Sequence, residues 1–384
     1  MIKITIIISS LAVGGAEKML LKLLQRLDAS RYQISVISLT DEGVIGPQIT
    51  ALGIQVYTLN MRRGVVPNPI ILLHLARLLK KLGSDIVHTW MYHSDLIGGI
   101  AARLAGNSNV LWSLRHSDLS KANNKLSTLM VVKLCSLLSS QIPKRIISCS
   151  AKAKDIHVAV GYCEHKLHVI PNGFELDRFV PDSTARTSVR KELGLPTKVP
   201  LVGLIARFHS QKNQIGFIEV AERVALQHPD VHFILAGKDV DYENTILKSL
   251  IHKKGLQKNV HLMGSRDDIP RLMAALDVLA STSHGEAFPN VLGEAMACGV
   301  PCVVTDVGDS ADIVGNTGRV VEAGDMAGMA IELLSILQMS EAEKLALGQK
   351  ARARVVANYD INHVVDLYQD FYDQIMIKNI KRCF

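Results

Sequence analysis

The sequence predicts an α/β protein built from two doubly wound, parallel-sheet domains with a cleft between them. Three observations predict it. Short β-branched runs alternate with stretches of helical periodicity, the pattern of strand–helix–strand units. The alternation breaks where Pro171, Pro181, Pro196 and Pro200 cluster, then restarts. The chain has 384 residues and is 48% apolar, enough for two cores when a domain takes about 150 residues.

Each element follows from its pattern. Ile2–Ser9 reads as a buried first strand; its apolar run imitates a signal peptide, but the β-branched residues and the following Gly14-Gly15 favour the strand. Ala16, Met19, Leu20, Leu23, Leu24 and Leu27 recur at i, i+3, i+4, i+7, i+8 and i+11, the stripe of a helix packed on a sheet. Strands are expected at Tyr32–Leu39, Gln55–Leu59, Asp85–Thr89, Val110–Leu114 and Arg145–Ser150, with helices near 70–82, 94–105, 125–140 and 152–160. Past the prolines, strands are expected at Leu201–Ala206, Val231–Ala236, Val260–Leu262, Val278–Thr282 and Cys302–Thr305, and helices over most of 325–384. The domains are then residues 1–175 with a returning C-terminal helix of about 361–384, and residues 176–360.

The chemistry sits at the strand ends, where parallel sheets bind ligands. Val278–Thr282 leads into His284-Gly285-Glu286-Ala287-Phe288-Pro289-Asn290, with Glu294 eight residues after Glu286. Phe288-Pro289-Asn290 opens a helix whose free N–H groups can face a sugar or phosphate. Glu286 suits sugar hydroxyls and Glu294 the vicinal hydroxyls of a ribose, through charge-assisted bonds. Arg207 ends strand Leu201–Ala206 and Lys212 stands five residues on; two cations there can stabilise a pyrophosphate leaving group in place of a metal. Gly14-Gly15 at the first helix start lets backbone N–H groups approach a phosphate. His88, His93 and His116 fall at or just beyond strand ends in the first half. Asp239-Val240-Asp241 matches a metal-binding Asp-x-Asp pattern, which the cations Arg207 and Lys212 make unnecessary.

Together these motifs resemble glycosyltransferase family 4. The likeness runs through Gly14-Gly15-Ala16-Glu17, Val169-Ile170-Pro171-Asn172-Gly173-Phe174, the Arg207–Lys212 segment and the Glu286–Glu294 block. The resemblance implies the GT-B fold: two Rossmann-like domains facing across a cleft, the last helix crossing back to the N-terminal domain. It implies a retaining, metal-independent hexosyl- or N-acetylhexosaminyl-type transferase, a nucleotide-sugar donor (a UDP-sugar above others) and no cofactor. Arg207 and Lys212 would bind the diphosphate and Glu294 the ribose. Glu286, with the backbone of Phe288, Pro289 and Asn290, would hold the sugar. Gly15 would approach the donor phosphate on closure. His116 aligns with the family's N-domain histidine, although Arg115 stands where that family usually has a small or apolar residue. Gly308-Asp309-Ser310-Ala311-Asp312 replaces a frequent Gly-Gly-x-x-Glu, with Asp312 as a shorter acid. Related activities on the same architecture are a sugar-nucleotide epimerase and a soluble-acceptor transferase; a non-catalytic sugar-nucleotide-binding subunit is a different class.

Composition narrows the partners. Residues 1–170 carry 20 Lys and Arg against 9 Asp and Glu, whereas residues 171–384 carry 23 against 27. A basic first half suits an anionic partner, expected to be the inner face of the cytoplasmic membrane carrying a lipid-linked saccharide for surface polysaccharide. Aromatic residues at 5% give no stacking platform for single strands, so nucleic acid is not expected. The absence of Gly-x-Gly-x-x-Gly disfavours a nicotinamide enzyme. Six cysteines without a Cys-x-x-Cys pair suggest reduced thiols in the cytoplasm.

Overall fold

The computed structural model describes residues 1–62, 69–120 and 124–380, with the side chains of 377–380 set aside. Lys121 and Cys383, singled out in the sequence, lie outside the described residues. The chain divides into two compact units, Met1–Gly173 with the residues from Ile361 onward, and Phe174–Asp360. The first division falls two residues before the expected one. Phe174 belongs to the second unit because its N–H donates to Tyr359 O at 2.8 Å and its ring packs on Phe288 and Tyr359.

The first unit runs β1 (Ile2–Ile8), α1 (Gly15–Leu24), β2 (Tyr32–Ser38), α2 (Gly46–Thr50), β3 (Gln55–Thr58), α3 (Pro69–Leu82), β4 (Ile86–Trp90), α4 (Tyr92–Leu104), β5 (Val110–Leu114), α5 (Leu126–Leu138), β6 (Arg145–Ser148), α6 (Ala151–Val160) and β7 (Leu167–Val169). Its sheet order is β3-β2-β1-β4-β5-β6-β7, and every pairing is parallel. Helices cover both faces, which is why Ile4, Ile6, Ile7 and Ile8 are all buried rather than alternating. The unit is completed by α15 (Ile361–Ile380). Val364, Val365, Tyr368, Tyr372 and Ile375 join β1 and α1 in one core.

The second unit runs α7 (Ser183–Glu192), β8 (Leu201–Ile205), α8 (Gln214–Gln227), β9 (His232–Ala236), α9 (Thr245–Lys253), β10 (Val260–Leu262), α10 (Ile269–Ala275), β11 (Val278–Ser281), α11 (Asn290–Ala297), β12 (Cys302–Thr305), α12 (Ser310–Val314), β13 (Arg319–Val321), α13 (Met326–Leu337) and α14 (Glu341–Tyr359). Its sheet order is β10-β9-β8-β11-β12-β13, again parallel throughout. Ser340 and Glu343 form a reciprocal cap that starts α14. Among the described residues Cys135, Cys149, Cys298 and Cys302 are buried free thiols and Cys163 is a half-buried one.

Several elements depart from the sequence expectation. The edge strands β7 and β13 have three residues each, too few to show a period. Helix α7 lies inside the proline-rich stretch; only Ala185, Val189 and Arg190 of it are buried, so its apolar stripe is almost absent. His88 is not at a strand end: β4 continues to Trp90. The imidazole is fully buried between Tyr372 Oη at 2.9 Å and Ser113 Oγ at 2.8 Å, and burial pushes its pKa well below the usual histidine range.

Candidate functional site

In the second sheet the strand order reverses direction between β8 and β11, which are direct neighbours. Connections leave such a pair on opposite faces, and the gap between them is the ligand position of doubly wound sheets. The residues Arg207 and Lys212 leave β8 there, and the Glu286 segment leaves β11.

The two loops are stitched together. His284 N–H donates to Gln211 O at 2.7 Å. The buried Thr282 hydroxyl reaches Asn213 O at 3.0 Å and Lys212 O at 3.2 Å. Asn213 takes a left-handed φ of 50° and caps α8 by accepting from Gly216 N–H. Gln214, almost fully buried, donates to Arg207 O at 2.7 Å and so fixes the turn that carries Arg207.

Lys212 forms an ion pair with Glu286, and Ser283 Oγ donates to the same carboxylate oxygen at 2.8 Å. The cation expected to hold a diphosphate and the acid expected to hold a sugar are thus adjacent side chains. Arg207 is exposed and its guanidinium has no carboxylate partner among the described residues.

Helix α11 begins at Asn290 with Pro289 at its N-cap, a residue that supplies no side-chain cap. The start is anchored from behind. Phe288 is stacked on Phe174 with ring centroids 6.0 Å apart and meets Tyr359 edge-on at 5.7 Å. The Phe288 ring is therefore committed to the core, and its backbone is what a ligand can meet. Glu294 is half-buried on the second turn of α11.

The role of Gly308 in this site was not read from the sequence. Gly308 follows β12 with a φ of 54°, and a Cβ there would lie 2.3 Å from Glu286 O. Asp309 N–H also donates to Ala287 O at 3.1 Å. The Gly308-Asp309 turn thus sets the height of the Glu286 loop. Asp312 is exposed on α12 and its carbonyl receives Arg354. Gly308→Ala is expected to displace the Glu286 carbonyl, raising donor KM by about tenfold, or about 1.4 kcal/mol, while the far-ultraviolet circular dichroism is unchanged. An unaltered KM would show that the loop is not held there.

The Asp239–Asp241 pair lies in the loop after β9. Val240 between them is fully buried, Asp239 is exposed, and Asp241 Oδ1 accepts from Glu243 N–H at 3.0 Å.

In the first unit, Gly15 opens α1 behind Gly14, again without a side-chain cap, and Glu17 lies in the first turn. His116 is half-buried just past β5. Its carbonyl accepts from Tyr92 Oη at 3.2 Å, and Tyr92 Oη is 2.8 Å from His157 Nε2. The neighbouring Arg115 has a structural task. Its guanidinium lies 3.8 Å above the Trp90 ring, donates to Asn172 Oδ1 at 3.0 Å and pairs with Tyr368 Oη. It ties the end of β5 to α15 and to the Pro171-Asn172-Gly173 turn. His93 is half-buried, and burial lowers its pKa.

Comparison with known proteins fits this arrangement. Residues 13–178 match the model for Glycosyltransferase Family 4, and residues 199–339 match that for Glycosyl transferases group 1. The chain is 28% identical over 312 residues to the Escherichia coli UDP-Gal:alpha-D-GlcNAc-diphosphoundecaprenol alpha-1,3-galactosyltransferase, covering 80% of this chain and 79% of that protein. It is 26% identical over 348 residues to the Campylobacter jejuni N,N'-diacetylbacillosaminyl-diphospho-undecaprenol alpha-1,3-N-acetylgalactosaminyltransferase, covering 86% and 88%. Among solved structures, Anabaena HepE in complex with UDP superposes with a TM-score of 0.84 at 23% identity, covering 97% of this chain and all of that one. Sucrose-phosphate synthase from Thermosynechococcus elongatus gives 0.80 at 21% identity, covering 98% and 100%. These two likenesses establish the shared GT-B architecture.

Proposed function

We propose that this chain, which belongs to glycosyltransferase family 4 and is a glycosyltransferase, moves a sugar from a UDP-sugar to a lipid-linked saccharide in surface polysaccharide synthesis. The observation that carries the reading is the convergence of Lys212, Glu286 and the start of α11 at the β8/β11 reversal. The two undecaprenol-linked relatives support the acceptor class, and the UDP-galactose in the first one's name supports the base.

In this reading Arg207 and Lys212 take the diphosphate, Glu294 the ribose, and Glu286 with the backbone of 288–290 the sugar. To His116 we assign acceptor orientation. The bond from the anomeric carbon to the β-phosphate oxygen breaks, the acceptor oxygen bonds to the same face, and its proton passes to the departing phosphate. The configuration is retained and no side-chain nucleophile is needed. The leaving charge is met by two cations, so no divalent ion is required; cations aimed at developing charge are the largest electrostatic lever available.

Incubating the protein with UDP-sugars and an undecaprenyl-diphosphate-linked saccharide tests this. Turnover is expected with one UDP-sugar, with an axial or equatorial linkage matching the donor by NMR, and undiminished by EDTA. An inverted product, or activity abolished by EDTA and restored by Mg²⁺, would refute the mechanism. Transfer to water-soluble saccharides alone would refute the acceptor.

A further inference from the structure

Helix α5 is apolar on both sides. Val132 and Cys135 are buried on one side. On the other, Leu126, Met130, Leu134 and Leu137 are 71%, 60%, 47% and 62% exposed. At about 100° per residue their spacing of i, i+4, i+8 and i+11 confines them to about 80° of the circumference. A helix apolar all round belongs in a core or against lipid, and a contiguous exposed apolar stripe marks an interaction surface.

The charge along α5 has one sign. Lys125 directly precedes the helix and Lys133 lies within it, and residues 119–140 contain no Asp or Glu. Lys125 and Lys133 are exposed beside the stripe. At the C-terminal end of α5, Arg103 donates to Gln141 O at 2.9 Å and Lys166 to Ser140 O at 2.5 Å, adding two cations.

The neighbouring helices continue the same face. α4 packs against both α3 and α5. Ile70 and Leu73 of α3 and Leu104 of α4 are exposed too, and α3 ends in the exposed Lys80 and Lys81. The three helices contain one carboxylate, Asp95, and it is fully buried.

We infer that the α3–α5 layer, centred on Leu126, Met130, Leu134 and Leu137, docks into the headgroup region of an anionic bilayer. No helix among the described residues is long and apolar enough to cross a membrane. The mode is that of an interfacial helix: apolar side chains enter the acyl boundary and lysines meet lipid phosphates. A second protein copy would also cover apolar side chains, but two copies of a face without an exposed acid would repel. The inference extends the lipid-linked-acceptor reading; its test needs no acceptor.

The full chain is floated with vesicles of phosphatidylglycerol and phosphatidylethanolamine, and with phosphatidylcholine alone. Binding to the anionic vesicles is expected, weakening as salt rises. The Met130→Gln/Leu134→Gln/Leu137→Gln variant is expected to bind at least tenfold more weakly, and Lys125→Glu/Lys133→Glu to lose the preference for anionic lipid. UDP affinity should be unchanged in both, which reports an intact second unit, and unchanged circular dichroism reports the first. No flotation of the native chain at low salt would overturn the inference. So would apolar variants that float like the native chain, or that change only the oligomeric state by light scattering. Vesicle binding without transfer to lipid-linked saccharide would leave the docking standing and sink the acceptor reading instead.

Discussion

Lys212→Ala is expected to lower kcat/KM by about 10²–10³, the cost of about 2.7–4 kcal/mol seen when a fixed donor to developing charge is removed. The argument rests on what the ammonium faces. Without donor it is paired with Glu286; when a diphosphate arrives it has two anions to serve, and charge grows on the phosphate as the glycosidic bond breaks. Alanine also takes the Lys212 cation away from the largely shielded Glu286 carboxylate, to which Ser283 Oγ donates. With that cation gone, the carboxylate's charge opposes the incoming diphosphate. Lys212→Ala/Glu286→Gln is therefore expected to bind UDP more tightly than Lys212→Ala, although it removes more of the site. Coupling of this kind is expected where two residues touch. Arg207→Ala should show no such coupling, since its guanidinium has no carboxylate to release. Titration calorimetry with UDP and steady-state kinetics decide it. Strictly additive UDP affinities, or a Lys212→Ala enzyme retaining a third of its activity, would sink the assignment.

Much of this site was legible because its residues sit where long apolar strands stop. β8 and β11 are buried on both faces, so their ends are sharp in sequence, and Arg207 and Glu286 stand in the loops that follow. What was not legible is contact through space. Lys212 and Glu286 are 74 residues apart, and nothing local says that they pair. Gly308 looks like an ordinary turn residue until its neighbour, the Glu286 carbonyl, is known. Asn213 was the exception: an Asn directly before the apolar Ile215, Phe217 and Ile218 is a helix-cap signal that could have marked the start of α8. His88 shows the opposite error. Its partners Tyr372 and Ser113 come from α15 and β5, so a residue at an apparent strand end is in fact a core hydrogen-bonding group. Short edge strands such as β7 and β13 escape for a simpler reason, since three residues cannot display alternation.

Asp277→Asn is expected to destabilise the second unit by about 3–5 kcal/mol, the range for breaking a buried ion pair from one side. Arg190 is fully buried on α7 and donates to Asp277 Oδ2 at 2.7 Å. Its other N–H groups go to Val199 O at 2.9 Å and Ala275 O at 2.9 Å. Burial already pulls the Arg190 pKa down, so the charge depends on its anion. Asp277 also accepts from Arg186 at 2.6 Å and from Leu201 N–H at 2.8 Å. Arg186 is partly exposed and can turn to water; Arg190 cannot. At about 2–4 °C per kcal/mol for a unit of this size, the melting transition should fall by about 10 °C. The location gives the effect its meaning. Leu201 opens β8 and Asp277 immediately precedes β11, so this pair clamps the N-terminal ends of the two strands whose C-terminal ends carry Arg207, Lys212 and Glu286. Five residues of β8 at about 3.3 Å each separate clamp from site, too far for a direct electrostatic effect on donor in a screened medium. UDP affinity well below the melting temperature should therefore stay within about twofold, which corresponds to about 0.4 kcal/mol. Arg190→Met/Asp277→Leu should be more stable than Asp277→Asn, because apolar replacement of both partners leaves no buried charge unpaired. A single variant that melts with the native protein would show that the pair is solvated. One that melts normally but loses UDP binding would show that the clamp tunes the site rather than the fold.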